Sequence, residues 1–379
     1  MNFADGGSGD DTITASTIKS TTYNGIKLDS VKKFSLLFGN SGNDIITGDQ
    51  YADTLIGGQG DDTLTGNAGD DTIYGDRYSS LYPSGNVYSY LNLTDLQGGN
   101  DTIDGGSGDD YIIAGTGDDT ISGGTGNDTI WGGRANNAAG IDGDDTIRGG
   151  DGDDTVHSES GDDTVYGEAG ADNLLGEAGA DIIDGGIGDD TISGGTGADH
   201  LSGGTGDDTI TGDDGDDTLL GNAGADILTG GFGVDTMTGG AGSDQYIFNY
   251  SDLTDDSIDI ITDFTVGADG DVLDLSAIHA GNLNNGYGDS WPGTEFAYTH
   301  GYITYALDGA DTLVKYDRDG LALEYTAQSV VKLKDVQLTS ITSNNINPDV
   351  SDKLYLIETA AQVNEDSGSE VDYRIVLGK

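Results

Sequence analysis

The sequence predicts an all-β solenoid wound from 18-residue coils, and three observations predict it. From residue 39 to residue 247 the chain repeats every nine residues as G-G-x-G-x-D-x-U-x, with U a large apolar residue. The aspartate and the apolar residue hold their places in 21 copies, including one near the N-terminus at residues 6–14. Glycine numbers 66 in 379 residues, about 17% against roughly 7% in average usage. Each nonapeptide offers only one residue for burial, so a conventional globular core is excluded.

Composition narrows the function classes. Asp and Glu total 69 against 14 Lys and Arg, a net charge of −55, which excludes the phosphate neutralisation on which nucleic-acid binding depends. High charge with 34% hydrophobic residues would read as disorder if the acid were unpatterned; here it is periodic. Cysteine is absent, which removes disulfides, zinc-thiolate sites and thiol nucleophiles. Met1 is followed by Asn-Phe-Ala-Asp, so no Sec-type signal is expected, and no 18-residue apolar window predicts a membrane span.

Each column has a physical meaning. The sixth place is filled by Asp11, then by Asp44, Asp53, Asp62, Asp71, Asp101, Asp110, Asp119, Asp128, Asp145, Asp154, Asp163, Asp172, Asp181, Asp190, Asp199, Asp208, Asp217, Asp226, Asp235 and Asp244. Glycines at places one, two and four are expected to take positive φ and to leave room for carbonyls to turn toward a common point. The x-U-x triplet is a short strand with U pointing inward. Two nonapeptides make one coil, so Asp145 and Asp163 stack on one edge while Asp154 and Asp172 stack on the other. Stacked carboxylates repel unless a cation lies between them. A ligand set of carboxylate and carbonyl oxygens favours a hard ion, and flexible oxygen cages favour Ca²⁺ over Mg²⁺. The acid at place five varies to Ala at Ala171, Ala180, Ala198 and Ala225, so it reads as an outward solubilising residue.

These residues resemble the RTX (repeats-in-toxin) family, whose nonapeptide has this form. The resemblance covers roughly residues 6–247, with clean copies at 57–65 (GGQGDDTLT), 123–131 (GGTGNDTIW) and 203–211 (GGTGDDTIT). It implies a parallel β-roll, Ca²⁺ between successive turns, and export by type I secretion machinery with folding deferred until the chain meets extracellular calcium. The 21 sixth-place aspartates are then the metal ligands. About 10 to 18 ions are expected: the lower figure counts the gaps in the uninterrupted run from residue 140, the upper those from residue 39 with the coils in register through both insertions.

The rhythm also places the boundaries. Residues 1–38 read as an N-terminal repeat and capping segment, with Lys19, Lys27, Lys32 and Lys33 and with Phe34, Leu36 and Phe38 in strand alternation. Residues 39–248 form the roll. An insertion at 77–97 carries Tyr78, Tyr82, Pro83, Tyr88 and Tyr90, and a second lies at 134–140; both enter a glycine turn, so each is expected to bulge from an edge. The Tyr-rich loop is expected to pack on itself over the roll, with a glycan or cell-surface ligand as the other reading. The copy at residues 48–56 has Tyr51 where a glycine belongs, which predicts a degenerate turn. Residues 249–347 resemble the β-rich C-terminal domain of type I secreted proteins, and 348–379 are similar to the opening of a Calx-β or cadherin-like module.

No catalytic constellation emerges, so an enzyme is not expected. His157, His200, His279 and His300 form no H-E-x-x-H, and no G-x-S-x-G is present. Gly288-Asp289-Ser290-Trp291 reads as a plain loop, and Asp317-Arg318-Asp319-Gly320 lacks the outer ligands of an EF-hand. The sequence therefore predicts a secreted or cell-surface calcium-binding scaffold, structural or adhesive, with no nucleic-acid partner and no membrane span of its own. The alternative is the folding and secretion module of a secreted protease, lipase or alginate epimerase. Ice binding is a minor third reading, since the Thr125 and Asn127 pair it needs occurs once.

Overall fold

The computed structural model describes residues 2–15, 35–76, 98–133, 142–249, 257–267, 270–277, 303–316, 328–336, 340–341, 345–347, 354–356 and 372–377. The expectations for the lysines before residue 35, the Tyr-rich and second insertions, residues 288–291 and 317–320, and most of the tail lie outside them. The chain divides into two compact units, residues 1–196 and 197–379.

In the first unit, alternate nonapeptides contribute to two parallel sheets. One contains Asn2–Ser8, Ser35–Ser41, Thr54–Gln59, Thr72–Asp76, Tyr111–Ile113, Thr129–Trp131, Thr155–His157, Asn173–Leu175 and Thr191–Thr196. The other contains Thr12–Thr14, Ile45–Thr47, Thr63–Ala68, Thr102–Ser107, Thr120–Thr125, Thr146–Asp151, Thr164–Ala169 and Ile182–Ile187. Thr and β-branched residues favour these half-buried strands, and a positive-φ glycine turn follows most of them. The register survives both insertions: Leu64 pairs with Ile103 and Ile121 with Ile147. The U residues fill the space between the sheets; Ile46, Leu64, Ile112, Ile147 and Leu174 are fully buried.

The strand expected at Phe34 to Phe38 is present as Ser35–Ser41, but its inward residue is Leu37, while Leu36 and Phe38 face outward. Phe38 instead packs on an outer cluster of Ile56, Tyr74 and Ile113. The reason is register. Leu37 lies 18 residues before Leu55, and the pleat sends its neighbours to the other face.

In the second unit the parallel coils run past the last glycine repeat. Asp259–Ile261 pairs with Thr236–Ala241, and Val272–Asp274 pairs with Gln245–Ile247. Ile261 and Leu273 continue the buried U column beyond Met237 and Tyr246. A β-rich cap follows: Gln328–Leu333 adds parallel to Asp259–Ile261 and then pairs antiparallel with Asp311–Tyr316, itself hairpinned to Ile303–Asp308. From the tail, Asp372–Leu377 pairs antiparallel with Ile303–Asp308. No helix among the described residues is long and apolar enough to cross a membrane.

Candidate metal centre

The sixth-place aspartates form a ladder along each edge of the roll. The backbone N–H of Asp62 donates to Oδ1 of Asp101 at 2.7 Å, Asp101 to Asp119 at 2.7 Å, and Asp119 to Asp145 at 2.8 Å. On the other edge Asp110 donates to Asp128, Asp128 to Asp154 and Asp154 to Asp172, each at 2.8 Å. The same bond joins Asp199 to Asp217 and Asp208 to Asp226 in the second unit, at 2.9 Å. Asp11, isolated in sequence, is in register too, its N–H meeting Oδ1 of Asp44 at 2.7 Å.

From Asp44 to Asp244 every sixth-place aspartate is at most 2% exposed. The second oxygen is the unusual one: Oδ2 of Asp62, Asp101, Asp119, Asp145, Asp154 and Asp217, among others, is buried without a hydrogen-bond partner. A charged oxygen in that state costs several kcal/mol unless a counter-charge reaches it. Burial pushes the carboxyl of Asp62 up to about 7, Asp101 to about 8 and Asp119 to about 9, against the N–H bond each accepts, which lowers it.

The glycine at place one explains where that oxygen points. A Cβ on Gly57 would collide with Oδ2 of Asp62 and with the carbonyl oxygen of Gly75 on the next coil; one on Gly149 would meet Asp154 and Gly167 in the same way. Place one therefore needs glycine for space, and it does not adopt the positive φ expected of it. Place two does: φ is +126° at Gly58 and stays left-handed where the residue is Asn67 (79°) or Glu168 (75°). Copies such as these thus bring a bare carboxylate oxygen and a carbonyl oxygen together beside an α-carbon with no side chain.

Place five is more than a solubilising position. The N–H of Asn127 donates to Oδ1 of Asp109 at 2.9 Å, Ala171 to Asp153 at 3.0 Å and Ala225 to Asp207 at 2.8 Å. This second, exposed ladder runs opposite to the first, because here the later coil donates to the earlier one. Alanine is tolerated because it still supplies the N–H.

Some copies depart from the pattern. Oδ2 of Asp53 accepts from the N–H of Asp49 at 2.7 Å, which closes the degenerate turn at Tyr51 on itself. At Ser158 a hydroxyl replaces the place-one glycine and donates to the Gly176 carbonyl at 2.8 Å. Three members of the ladders were not picked out from sequence. The N–H of Ser35 donates to Asp53, that of Asp235 to Asp259 and that of Asp244 to Asp271. Ser35 sits 18 residues before Asp53, and the other two follow Asp235 and Asp244 by 24 and 27. The usable signal was D-x-U in Asp259-Ile260-Ile261 and Asp271-Val272-Leu273; the lost glycines hid it.

Among the described residues no three carboxylate or imidazole side chains gather as a metal cluster. An ion at the edge would be held by sixth-place carboxylate oxygen with backbone carbonyls of neighbouring coils. That all-oxygen donor set fits Ca²⁺, which accepts mixed carboxylate and carbonyl ligands in flexible geometry. When bound, the ion supplies the positive charge that the buried Oδ2 atoms call for.

Among solved structures the chain is similar to the AlgE6R3 subunit of the mannuronan C5-epimerase of Azotobacter vinelandii, at 27% identity over 46% of this chain and 88% of that one, with a TM-score of 0.29. It is also similar to the AlgE6R2 subunit of that enzyme, at 26% identity over 42% and 91%, with a TM-score of 0.28. No curated protein matches. The profile of the RTX calcium-binding nonapeptide repeat matches residues 2–17, 35–50, 47–77, 97–121, 113–138, 139–174, 166–201, 175–210, 193–228 and 211–246. Those matches span more than half of the sequence, and the chain belongs to the RTX family of calcium-binding repeat proteins.

Proposed function

We propose that this RTX array is a calcium-triggered folding scaffold in an exported, extracellular or cell-surface protein, with a structural or adhesive use. The observation that carries the reading is the buried column of carboxylates, with Oδ2 of members such as Asp62, Asp71, Asp110 and Asp154 unsatisfied and facing carbonyl oxygen across a bare glycine. The sixth-place aspartates named above are the ligands, on the order of 10 to 18 ions in all. Where calcium is scarce the columns repel and the chain stays open, a state suited to passage through type I secretion machinery. Outside, calcium quenches the columns and each bound ion stabilises the folded coil through linkage.

Far-UV circular dichroism of the full chain, first in chelator and then with millimolar Ca²⁺, tests the reading. The expected result is a β spectrum that appears only with calcium. A β spectrum indifferent to chelation sinks it.

A further inference from the structure

Asp76 stands at place two of the copy interrupted by the first insertion, a place ordinarily held by glycine, with no side chain to offer. Most of the other residues described there in place of glycine keep a left-handed backbone, among them Asn40, Asn67, Glu159, Asp213 and Asn222, and none of these five is buried; Asp49, in the degenerate copy, is not left-handed but is not buried either. Asp76 departs on both counts. Its φ is not left-handed, and its side chain is turned inward to 4% exposure. Oδ2 accepts from the N–H of Thr116 at 2.9 Å and from its hydroxyl at 3.0 Å. Gly98 and Gly115 press their α-carbons against the carboxylate, so that a Cβ on either would collide with it.

An independent observation lies beside it. Oδ2 of Asp101, in the same copy, is buried without a hydrogen-bond partner and aimed at the α-carbon of Gly75, the residue joined to Asp76. The negative charge of Asp76 acts on Asp62, Asp101 and Asp119 alike. The chain has therefore spent burial on a second carboxylate where the column already holds a half-satisfied one.

We propose that Asp76 adds a second side-chain carboxylate to the edge position of Asp101, making there a two-carboxylate site for a divalent, oxygen-seeking cation that fills before the one-carboxylate positions of the array. The inference rests on the calcium reading above and deepens it. Extra ligand charge raises calcium affinity, and a site filled first fixes the coils on either side of the insertion. The 77–97 segment thus enters the roll at a reinforced point.

The test is equilibrium dialysis of the full chain with ⁴⁵Ca²⁺ from nanomolar to millimolar free calcium, for wild type, Asp76→Asn, Thr116→Val and Asp213→Asn. Asparagine keeps an acceptor for Thr116, Thr116→Val removes the hydroxyl's bond to Asp76 and its acceptance of the Gly98 N–H without touching charge, and Asp213 is an exposed place-two aspartate. Asp76→Asn is expected to weaken the tightest equivalent by about tenfold or more, with the other two variants superimposing on wild type. Asp76→Asn superimposing on wild type overturns the proposal. So does Thr116→Val reproducing its shift, or Asp76→Asn failing to reach the wild-type spectrum at any calcium concentration, since either puts Asp76 in the turn alone. Wild type that binds no calcium overturns the underlying reading instead, so the two failures are distinguishable.

Discussion

Asp119 concentrates the physics of the repeat in one side chain: it is 2% exposed, accepts the N–H of Asp101, and has its carboxyl pushed by burial up to about 9. A folded-state value above the unfolded value of about 3.9 means that, without a cation, the coil binds more protons than the open chain, so its stability falls as pH rises from about 4 to 9. The columns at Asp62, Asp71, Asp145 and Asp154, raised to between about 7 and 8, act in the same direction. In chelator, acidification from pH 8 to pH 5 is expected to increase the β signal, whereas with calcium present the same change weakens loading because protons compete for the carboxylates. Circular dichroism against pH in both conditions checks this, and a chelated chain that gains no structure on acidification contradicts it. The aspartate column was legible because Asp recurs at a fixed place beside a fixed apolar residue. The place-five ladder was not, because an exposed Asp in a glycine turn has the composition of any solvated loop.

At the scale of the element, the unit that folds is the coil, and its register is indifferent to what interrupts it. Asp62 reaches Asp101 and Asp71 reaches Asp110 across 39 residues with the same bond made elsewhere across 18. Removing residues 77–97 would join Asp76 to Gly98 and leave G-D-G-G-N-D-T-I-D, a complete nonapeptide. That deletion is expected to preserve calcium-dependent folding with a midpoint within about twofold of wild type, since loop length weighs little on closure. A calcium titration followed by circular dichroism decides it; loss of the transition would show that the insertion holds the coils together. Sequence periodicity located the strands because their period is dictated by the pleat. It did not show that Leu37, and not its alternating neighbours Leu36 and Phe38, is the buried member of Ser35–Ser41, because only the register with Leu55 sets that.

For the whole molecule, on the calcium reading proposed above, the net charge of −55 is a ligand inventory as much as a solubility device, and the C-terminal region is where that inventory has to stop. Asp259 and Asp271 lie outside the glycine array yet accept the N–H groups of Asp235 and Asp244 at 3.0 Å. Replacing both by Ala leaves two buried donors unsatisfied, at a cost of about 1–3 kcal/mol each. The double variant is therefore expected to need more calcium to fold and to melt at lower temperature, measured by titration and by thermal unfolding at fixed calcium; an unchanged midpoint and melting temperature would contradict the role. A ladder in which each rung leans on the one after it has no natural last rung. Rungs can be added or removed in pairs of nonapeptides without disturbing any other, provided that Asp259 and Asp271 still close the series. The repeat determines how a coil is made and never how many there are, so this stretch of chain is a ruler whose length can drift by whole coils while its end-piece stays the same.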